Sequence, residues 1–350
     1  MDKPKNKSKR ATIYDVARAL NLSTATVNRA LSGKDTIHED TRREVLEMVE
    51  RLGYKPNRLA RSLASRDIRL AVIAFTSFPE FHDPIVLGAR QALKDLSDYN
   101  IHVDFFSYDK GDSNTEAGTK FLDELLEQVA ASAYDGLLVC ARQSRGFDRI
   151  VEKGVPVVTV VNDFEIRMRR LSIQYDGRAA GRIAAELLYR FGDRNRPVAI
   201  ATGRFGKHSI HSDILEGFLQ QTEVTPLSLA TIYNHHDNRA EAYELTAGML
   251  REHPTLGGIY VDSFNSQGVV EAVRDAGMGG KLCLITSDMY ERLRGYIRQG
   301  LVQASLCQNQ YEQGRQGLER LYWYLVEGSQ GPDTVLLPPQ IVLNSNLDLY

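Results

Sequence analysis

The sequence predicts an α/β protein in two unequal parts: a small helical head, then a body of two doubly wound, Rossmann-like lobes. Three observations predict it. Residues 1–66 hold 15 Lys+Arg against 8 Asp+Glu, a net of +7, whereas the rest holds 28 against 37, a net of −9. The head spaces its apolar residues at helical intervals, and from Arg69 onward continuous apolar runs alternate with helical stretches. The length of 350 residues is too great for one small module.

Composition narrows the class. At 43% hydrophobic and 25% charged residues the chain is an ordinary globular one, which excludes wholesale disorder. No apolar run reaches the ~18–20 residues of a membrane span. The basic start MDKPKNKSKR leads into no apolar segment, so a cytoplasmic protein with no membrane partner is expected. Cys140, Cys283 and Cys307 lie far apart in apolar runs, which suits buried, reduced thiols. A disulfide framework and a cysteine-based zinc site are not expected.

In the head, Thr12 precedes Ile13, Val16, Ala17 and Leu20, and Asp15 stands three residues after it, a capping box that opens a first helix. Asn21-Leu22 makes a short turn. Ser23 then caps a second helix, Thr24 to Leu31, with Val27 and Leu31 inward and Gly33 placed to end it. A third helix runs from Glu39 to Leu52 with Val45, Met48, Val49 and Leu52 on one face. Two short helices around a tight turn, closed by a third, form a helix-turn-helix, whose second helix enters the major groove of double-stranded DNA. Its outward residues are Thr24, Ala25, Asn28 and Arg29, and Arg reads guanine through a fork to O6 and N7.

The string ATIYDVARALNLSTATVNRALSGKDTIHEDTRREVLEMVERLGYKPNRLARSL resembles the DNA-binding head of the lactose-repressor (LacI/GalR) family over about 55 residues. The family's TVSRAL reads TVNRAL here, with Asn28 in place of a small serine, and His38 stands where a Ser or Thr cap is usual. The resemblance implies a transcriptional repressor acting as a homodimer on a palindromic operator. Its DNA contacts would come from Thr12, Ser23, Thr24, Ala25, Thr26, Asn28, Arg29 and Lys34. Residues 56–66 would form a hinge, with Asn57, Ala60 and Arg61 at the minor groove and Leu63 as a wedge between base steps. So short a segment after Pro56 is marginal as a helix on its own and would need a partner chain and DNA to fold.

The body offers ten strand candidates: Leu70–Phe75, Ile101–Ser107, Asp135–Cys140, Val155–Val161, Leu171–Gln174, Pro197–Thr202, Ser228–Tyr233, Gly258–Val261, Leu282–Thr286 and Val302–Cys307. Helical stretches such as Ile85–Asp98, Ala179–Tyr189, Ala240–Arg251 and Tyr311–Val326 separate them. That alternation means parallel sheets, and ten strands need two lobes. With a head over 1–55, the effector domain is expected over 67–350: lobe 1 about 67–163 and 295–327, lobe 2 about 164–294 and 328–350.

Ligands in open α/β sheets bind beyond the carboxyl ends of the strands. The residues there include Ser77, Phe78, Phe81, Asp83, Arg142 and Asn162, then Arg204, His208, Asn265, Asp288 and Gln308. Asp237, Asp262 and Ser263 fall in the same zone. Aromatic faces among carboxylates, amides and an Arg fork suit a polyhydroxyl ligand.

The body resembles the periplasmic-binding-protein-type effector domain of the same family through Tyr175-Asp176…Ala180-Gly181 and Gln308…Gln313-Gly314. The resemblance implies that a small effector, expected to be a sugar, shifts the lobes and so the pairing of the hinges. Two departures bear on the effector. Ile214-Leu215-Glu216-Gly217-Phe218 lacks the arginine of the usual R-x-x-G-F, and Ser263 stands near the usual effector-gripping Asp. A sugar is favoured over a purine.

Competing classes leave weak traces. Gly277-Met278-Gly279-Gly280 lacks the last glycine of a dinucleotide fingerprint and precedes a strand. There is no P-loop, HExxH or GxSxG. His235-His236-Asp237 reads as a solvated turn rather than a metal site. No catalytic residue, cofactor or metal is expected. A transport-type binding protein would share the lobes but not the helix-turn-helix.

Overall fold

The computed structural model describes residues 13–31, 37–52, 67–75, 78–108, 116–164, 166–203, 210–328 and 332–350. The head packs α1 (Ile13–Ala19), α2 (Thr24–Leu31) and α3 (Glu39–Leu52) around Val16, Ala17, Val27, Ala30 and Val45. The turn works because Asn21 takes a left-handed conformation (φ 55°), which lets the Leu22 N–H donate to the Ala17 carbonyl at 2.9 Å and close α1. Ser23 Oγ accepts from the Thr26 N–H at 3.0 Å, as its position predicts. Thr12 and Gly33 lie outside the described residues. Leu52, expected inside, is 36% exposed. Helices α1 and α2 have 7 and 8 residues against 14 in α3, so they cover only part of its length.

The body has two six-stranded sheets. The first takes the order β11-β5-β4-β3-β1-β2 and is parallel throughout. Its strands are β1 (Ile68–Phe75), β2 (Ile101–Tyr108), β3 (Gly136–Cys140), β4 (Val157–Val160), β5 (Arg169–Tyr175) and β11 (Thr334–Leu337). The second takes the order β12-β10-β9-β8-β6-β7. It comprises β6 (Val198–Thr202), β7 (Leu229–Asn234), β8 (Gly258–Val261), β9 (Cys283–Ser287), β10 (Ala304–Cys307) and β12 (Gln340–Val342), the last antiparallel to β10. All ten expected strands form. The two additional ones flank Pro338-Pro339 and are mostly exposed or half-buried, so they lack the continuous buried run that marked the others.

The lobe boundaries differ from expectation. Strand β5 pairs with β4 and belongs to lobe 1, although lobe 2 was expected from about residue 164. Strand β10 pairs with β9 in lobe 2, although lobe 1 was expected to resume near 295. The chain therefore crosses after Tyr175, again after Cys307, and a third time at Pro338-Pro339. A buried apolar run announces a strand but not the sheet it joins.

Helices α4 (Pro79–Asp95), α5 (Glu116–Ala131), α6 (Phe147–Glu152) and α12 (Gln310–Glu327) cover the first sheet. The second is covered by α7 (Gly177–Phe191), α8 (Ile210–Val224), α9 (Arg239–Glu252), α10 (Gln267–Asp275) and α11 (Glu291–Arg298). One helix pair in each lobe touches backbone to backbone at reciprocal glycines. A Cβ on Gly88 of α4 would lie 1.9 Å from the Tyr311 carbonyl oxygen, and one on Gly314 of α12 2.0 Å from that of Ile85. Gly181 of α7 and Gly217 of α8 meet Ile214 and Arg178 in the same way, at 1.9 and 2.0 Å. The glycines of the two sequence motifs are thus helix-crossing points.

All three cysteines are free and buried, and burial pushes the Cys140 and Cys283 thiols up to about 12. Among the described residues, no helix is long and apolar enough to cross a membrane.

Candidate ligand cleft and DNA-reading helix

The mouth of lobe 2 is organised by Asp262, the residue after β8. Its carboxylate is 2% exposed and accepts from Thr202 Oγ1 at 2.7 Å and the Gly203 N–H at 2.9 Å, and it pairs with His211 Nδ1 at 2.9 Å. A buried charge persists only with such partners. Burial disfavours a charged His211, but the Asp262 carboxylate outweighs it and the pKa is raised; Asp237 adds to the rise and Arg142 opposes it. Arg142 belongs to lobe 1, so its field reaches lobe 2.

Asp237 stands in a left-handed turn (φ 58°) and accepts from Ser263 Oγ at 2.5 Å, while Asn265 Nδ2 donates to its carbonyl at 2.6 Å. A Cβ on Gly203 would lie 2.5 Å from Asp237 Oδ1 and 2.8 Å from His211 Nε2. Carboxylate and imidazole therefore flank a bare strip of backbone. The expected solvated turn at His235-His236-Asp237 is only half right. His236 pairs with Glu241 at 2.9 Å in the open, but His235 is fully buried because its N–H bonds the Thr202 carbonyl of β6 at 3.0 Å. Neither ring nitrogen of His235 has a partner, and burial lowers its pKa, which keeps the ring neutral. No group of three metal-ligating residues occurs among the described residues.

Lobe 1 meets this wall through the first turn of α4. Phe78 and Phe81 approach Phe264 of lobe 2, with ring centroids 6.1 and 5.4 Å apart, and Tyr290 backs Phe264 at 5.6 Å. Glu80 Oε1 accepts from the Glu291 N–H at 2.7 Å and so caps α11 across the lobes. His82 packs beside Phe81, and burial pulls its pKa down to about 4, although its bond to the Phe78 carbonyl opposes this. Below the free value near 6.5 the unfolded chain gains a proton that the folded one refuses until about pH 4. His82 should thus withdraw on the order of 2–3 kcal/mol of stability as pH drops through that window, against the gain from the raised Asp288. Urea midpoints of the native chain relative to those of His82→Asn should fall as pH drops from 6.5 to 4; a difference that stays constant would remove His82 as the cause.

Asp288 and Gln308, expected as ligand contacts, are bonded to each other. Asp288 is fully buried at φ 60° and accepts from the Gln308 N–H at 3.2 Å, Gln308 Nε2 at 2.9 Å and Gln310 Nε2 at 2.8 Å. Burial pushes its pKa up to about 6 against these bonds. Gln313 Nε2 in turn donates to the Gln308 carbonyl, and its Oε1 accepts from the N–H of Val161, both at 2.9 Å. Val161 is a β-branched residue held at φ 67°, next to Asn162. This chain of amides ties the end of β9, the second crossover and the end of β4 together.

Asp83 and Arg142 are exposed and Asn162 half-buried on the lobe 1 side. Ser77, Arg204 and His208 lie outside the described residues. Sequence reasoning missed Glu80, His211, Phe264 and Tyr290. Phe264 directly follows a flagged strand end, whereas His211 sits inside a helix and gave no signal.

On α2, Arg29 is exposed and Thr24 half-buried. The hydroxyls of Ser23 and Thr26 are 2.8 Å apart and engaged in the cap. Thr12, Lys34, Asn57, Ala60, Arg61 and Leu63 lie outside the described residues, as do the side chains of Ala25 and Asn28.

Two α/β lobes crossed three times by the chain around a polar, aromatic-edged cleft define a periplasmic-binding-type domain, and residues 71–329 match the periplasmic binding protein domain. The fold is shared with a sugar-binding protein of a Bacillus halodurans transporter (TM-score 0.72, 21% identity, 81% of this chain and 100% of that one). An arabinose-binding protein from Geobacillus stearothermophilus aligns with a TM-score of 0.70 and 20% identity over 81% of this chain and 99% of that one. Residues 12–57 match the lacI family of bacterial regulatory proteins, and the chain belongs to that family of DNA-binding transcriptional regulators. Relatives of its full length include catabolite control protein A of Priestia megaterium, 26% identical over 94% of this chain and 97% of that one. The ribose operon repressor of Haemophilus influenzae is 24% identical over 96% and 98%.

Proposed function

We propose that this regulator is a cytoplasmic homodimeric repressor, without enzymatic activity, whose grip on a palindromic operator is set by a sugar held between its lobes. One observation carries the ligand class: the half-buried Asp237, bonded to Ser263, stands at the mouth of lobe 2, where Phe264 meets the Phe78 and Phe81 rings of lobe 1. Carboxylate acceptors beside aromatic faces match hydroxyls and the apolar face of a pyranose or pentose. Asp237 supplies next to Ser263 the carboxylate that the family pattern would place near Ser263 itself. The repressor and sugar-binding names of the relatives point the same way. The head spans 1–55 and the hinge 56–66, with Asn57, Ala60 and Arg61 at the minor groove and Leu63 as the wedge. A sugar that favours one lobe arrangement shifts the population of dimers whose hinges pair.

A thermal-shift screen of the full-length protein against neutral pentoses and hexoses tests the ligand. A sugar at about 100 times its Kd should stabilise by about 2.7 kcal/mol. Arg142→Ala should abolish that shift and leave operator binding nearly intact. A shift produced by purines and by no sugar would reject the ligand class. For the head, Arg29→Ala should cost about 1–3 kcal/mol on the operator and relax preference at one symmetric position. Lys34→Ala should weaken all sequences alike and flatten the salt slope by about one. Equal loss on specific and random DNA for both would remove Arg29 from base reading.

A further inference from the structure

Lobe 1 has a second concave region at the opposite end of its sheet. The strands β1, β3 and β4 point their carboxyl ends at the cleft, whereas Arg169 and Arg170 open β5 at the far end. Helix α12 starts at the second crossover and runs down to that end, where Arg320, Trp323 and Tyr324 face the start of β5. Together they line a cavity of about 620 Å³, and an adjoining one of about 420 Å³ adds Arg167. Volumes of this size hold a metabolite.

Part of the positive charge there is unspent. Arg169 pairs with Asp163 at 3.1 Å. Among the described residues, Arg167, Arg170 and Arg320 have no carboxylate partner: Arg170 lies over the Tyr324 ring at 5.6 Å, and Arg320 reaches the Gln316 amide oxygen at 3.4 Å. Other exposed arginines, such as Arg149, Arg178 and Arg239, pair with carboxylates. Glu319, Glu327 and Asp333 also line the cavity, but Glu319 is engaged by Arg315 at 3.6 Å. Unpaired guanidiniums converging beside two aromatic faces are suited to a phosphate through their planar fork and to a ring through stacking.

We propose that this groove is an anion site for a phosphate-bearing small molecule with a ring, separate from the cleft and independent of the sugar reading. Its phosphate sits among Arg167, Arg170 and Arg320, and its ring lies against Trp323 and Tyr324. Because α12 also carries Gln310 and Gln313 of the crossover network, a ligand on its lower half sits on the element that pins the lobes.

Trp323 is the only tryptophan of the chain, so fluorescence of the full-length protein reports on this end of lobe 1, where its ring lines the groove and packs on Tyr99 and Tyr322. Titration with inorganic pyrophosphate should give a saturable change that potassium chloride at matched ionic strength does not. Arg170→Gln combined with Arg320→Gln should weaken it by about tenfold or more, and Arg167→Gln alone by less. By calorimetry, adenosine monophosphate should bind more tightly than inorganic phosphate, and Tyr324→Leu should erase that gap. Arg142→Ala should leave all of this unchanged. A response that is non-saturable, or equal in the double variant, overturns the site. So does a double variant whose only change is a flatter salt dependence of operator binding, since the arginines would then serve DNA phosphates.

Discussion

Alanine at Gly181 is expected to destabilise lobe 2 by about 3 kcal/mol or more. The new methyl would stand 1.9 Å from the Ile214 carbonyl oxygen and 2.5 Å from the Phe218 nitrogen. Both are backbone atoms of α8, so no side chain can swing aside and the two helices must part. Phe218 and Ile214 are fully buried beneath this crossing, and their packing would be lost with it. The control is Gly248 in α9, whose Cβ would come no nearer than 3.9 Å to Arg251. There alanine should stabilise by about 0.5–1 kcal/mol through helix propensity. Urea midpoints moving in opposite directions for the two variants would establish the contact; a Gly181→Ala protein as stable as the native one would show that the helices have slack.

Asp262→Ala is expected to cost about 3–5 kcal/mol and to abolish effector response while operator binding persists. It strands three buried donors at once, the Thr202 hydroxyl, the Gly203 N–H and the His211 ring. The charge at this site also has a pH signature. His211 has a folded pKa raised above 6.5, so its pairing stabilises fully below that value and loses its effect as pH rises through the folded pKa. Asp288, raised to about 6, also favours the folded state on acidification, but that contribution has faded by about pH 6. Melting temperatures taken between about pH 7 and 8, below the range in which the buried thiols of Cys140 and Cys283 begin to cost stability, therefore report on His211. They should decline in the native chain and decline less in Asp262→Asn. Parallel curves would mean that Asp262 holds the loop by shape rather than charge.

Local signals carried much of this architecture. Thr24–Leu31 and its Ser23 cap, and the ten strands with apolar runs, follow from periodicity and capping chemistry that operate over a few residues. The crossovers do not, because β5 and β10 have the same apolar texture whichever sheet they join; pairing with β4 and β9 decides, and that is a long-range choice. The cleft divides similarly. Residues at strand ends, such as Asp237 and Asp262, were visible from topology alone. Asp288 and Gln308 satisfied the same rule but face each other, since the rule locates a residue and not the direction of its side chain. His211 and Glu80 matter only through partners 51 and 211 positions away.

The triple crossing has a consequence for synthesis. Strands β11 and β12 complete opposite sheets, yet only Pro338-Pro339 separates them, after all the other strands. Until the ribosome has delivered residue 342, both β5 and β10 wait with an open flank. A message cut short after Glu327 would therefore not yield one sound lobe and one damaged lobe. It would yield two unfinished sheets, each offering a bare row of N–H and C=O groups to other nascent chains. Such fragments should be cleared as aggregates, and a nonsense allele at that point should behave as a simple loss rather than as a poison of the intact protein.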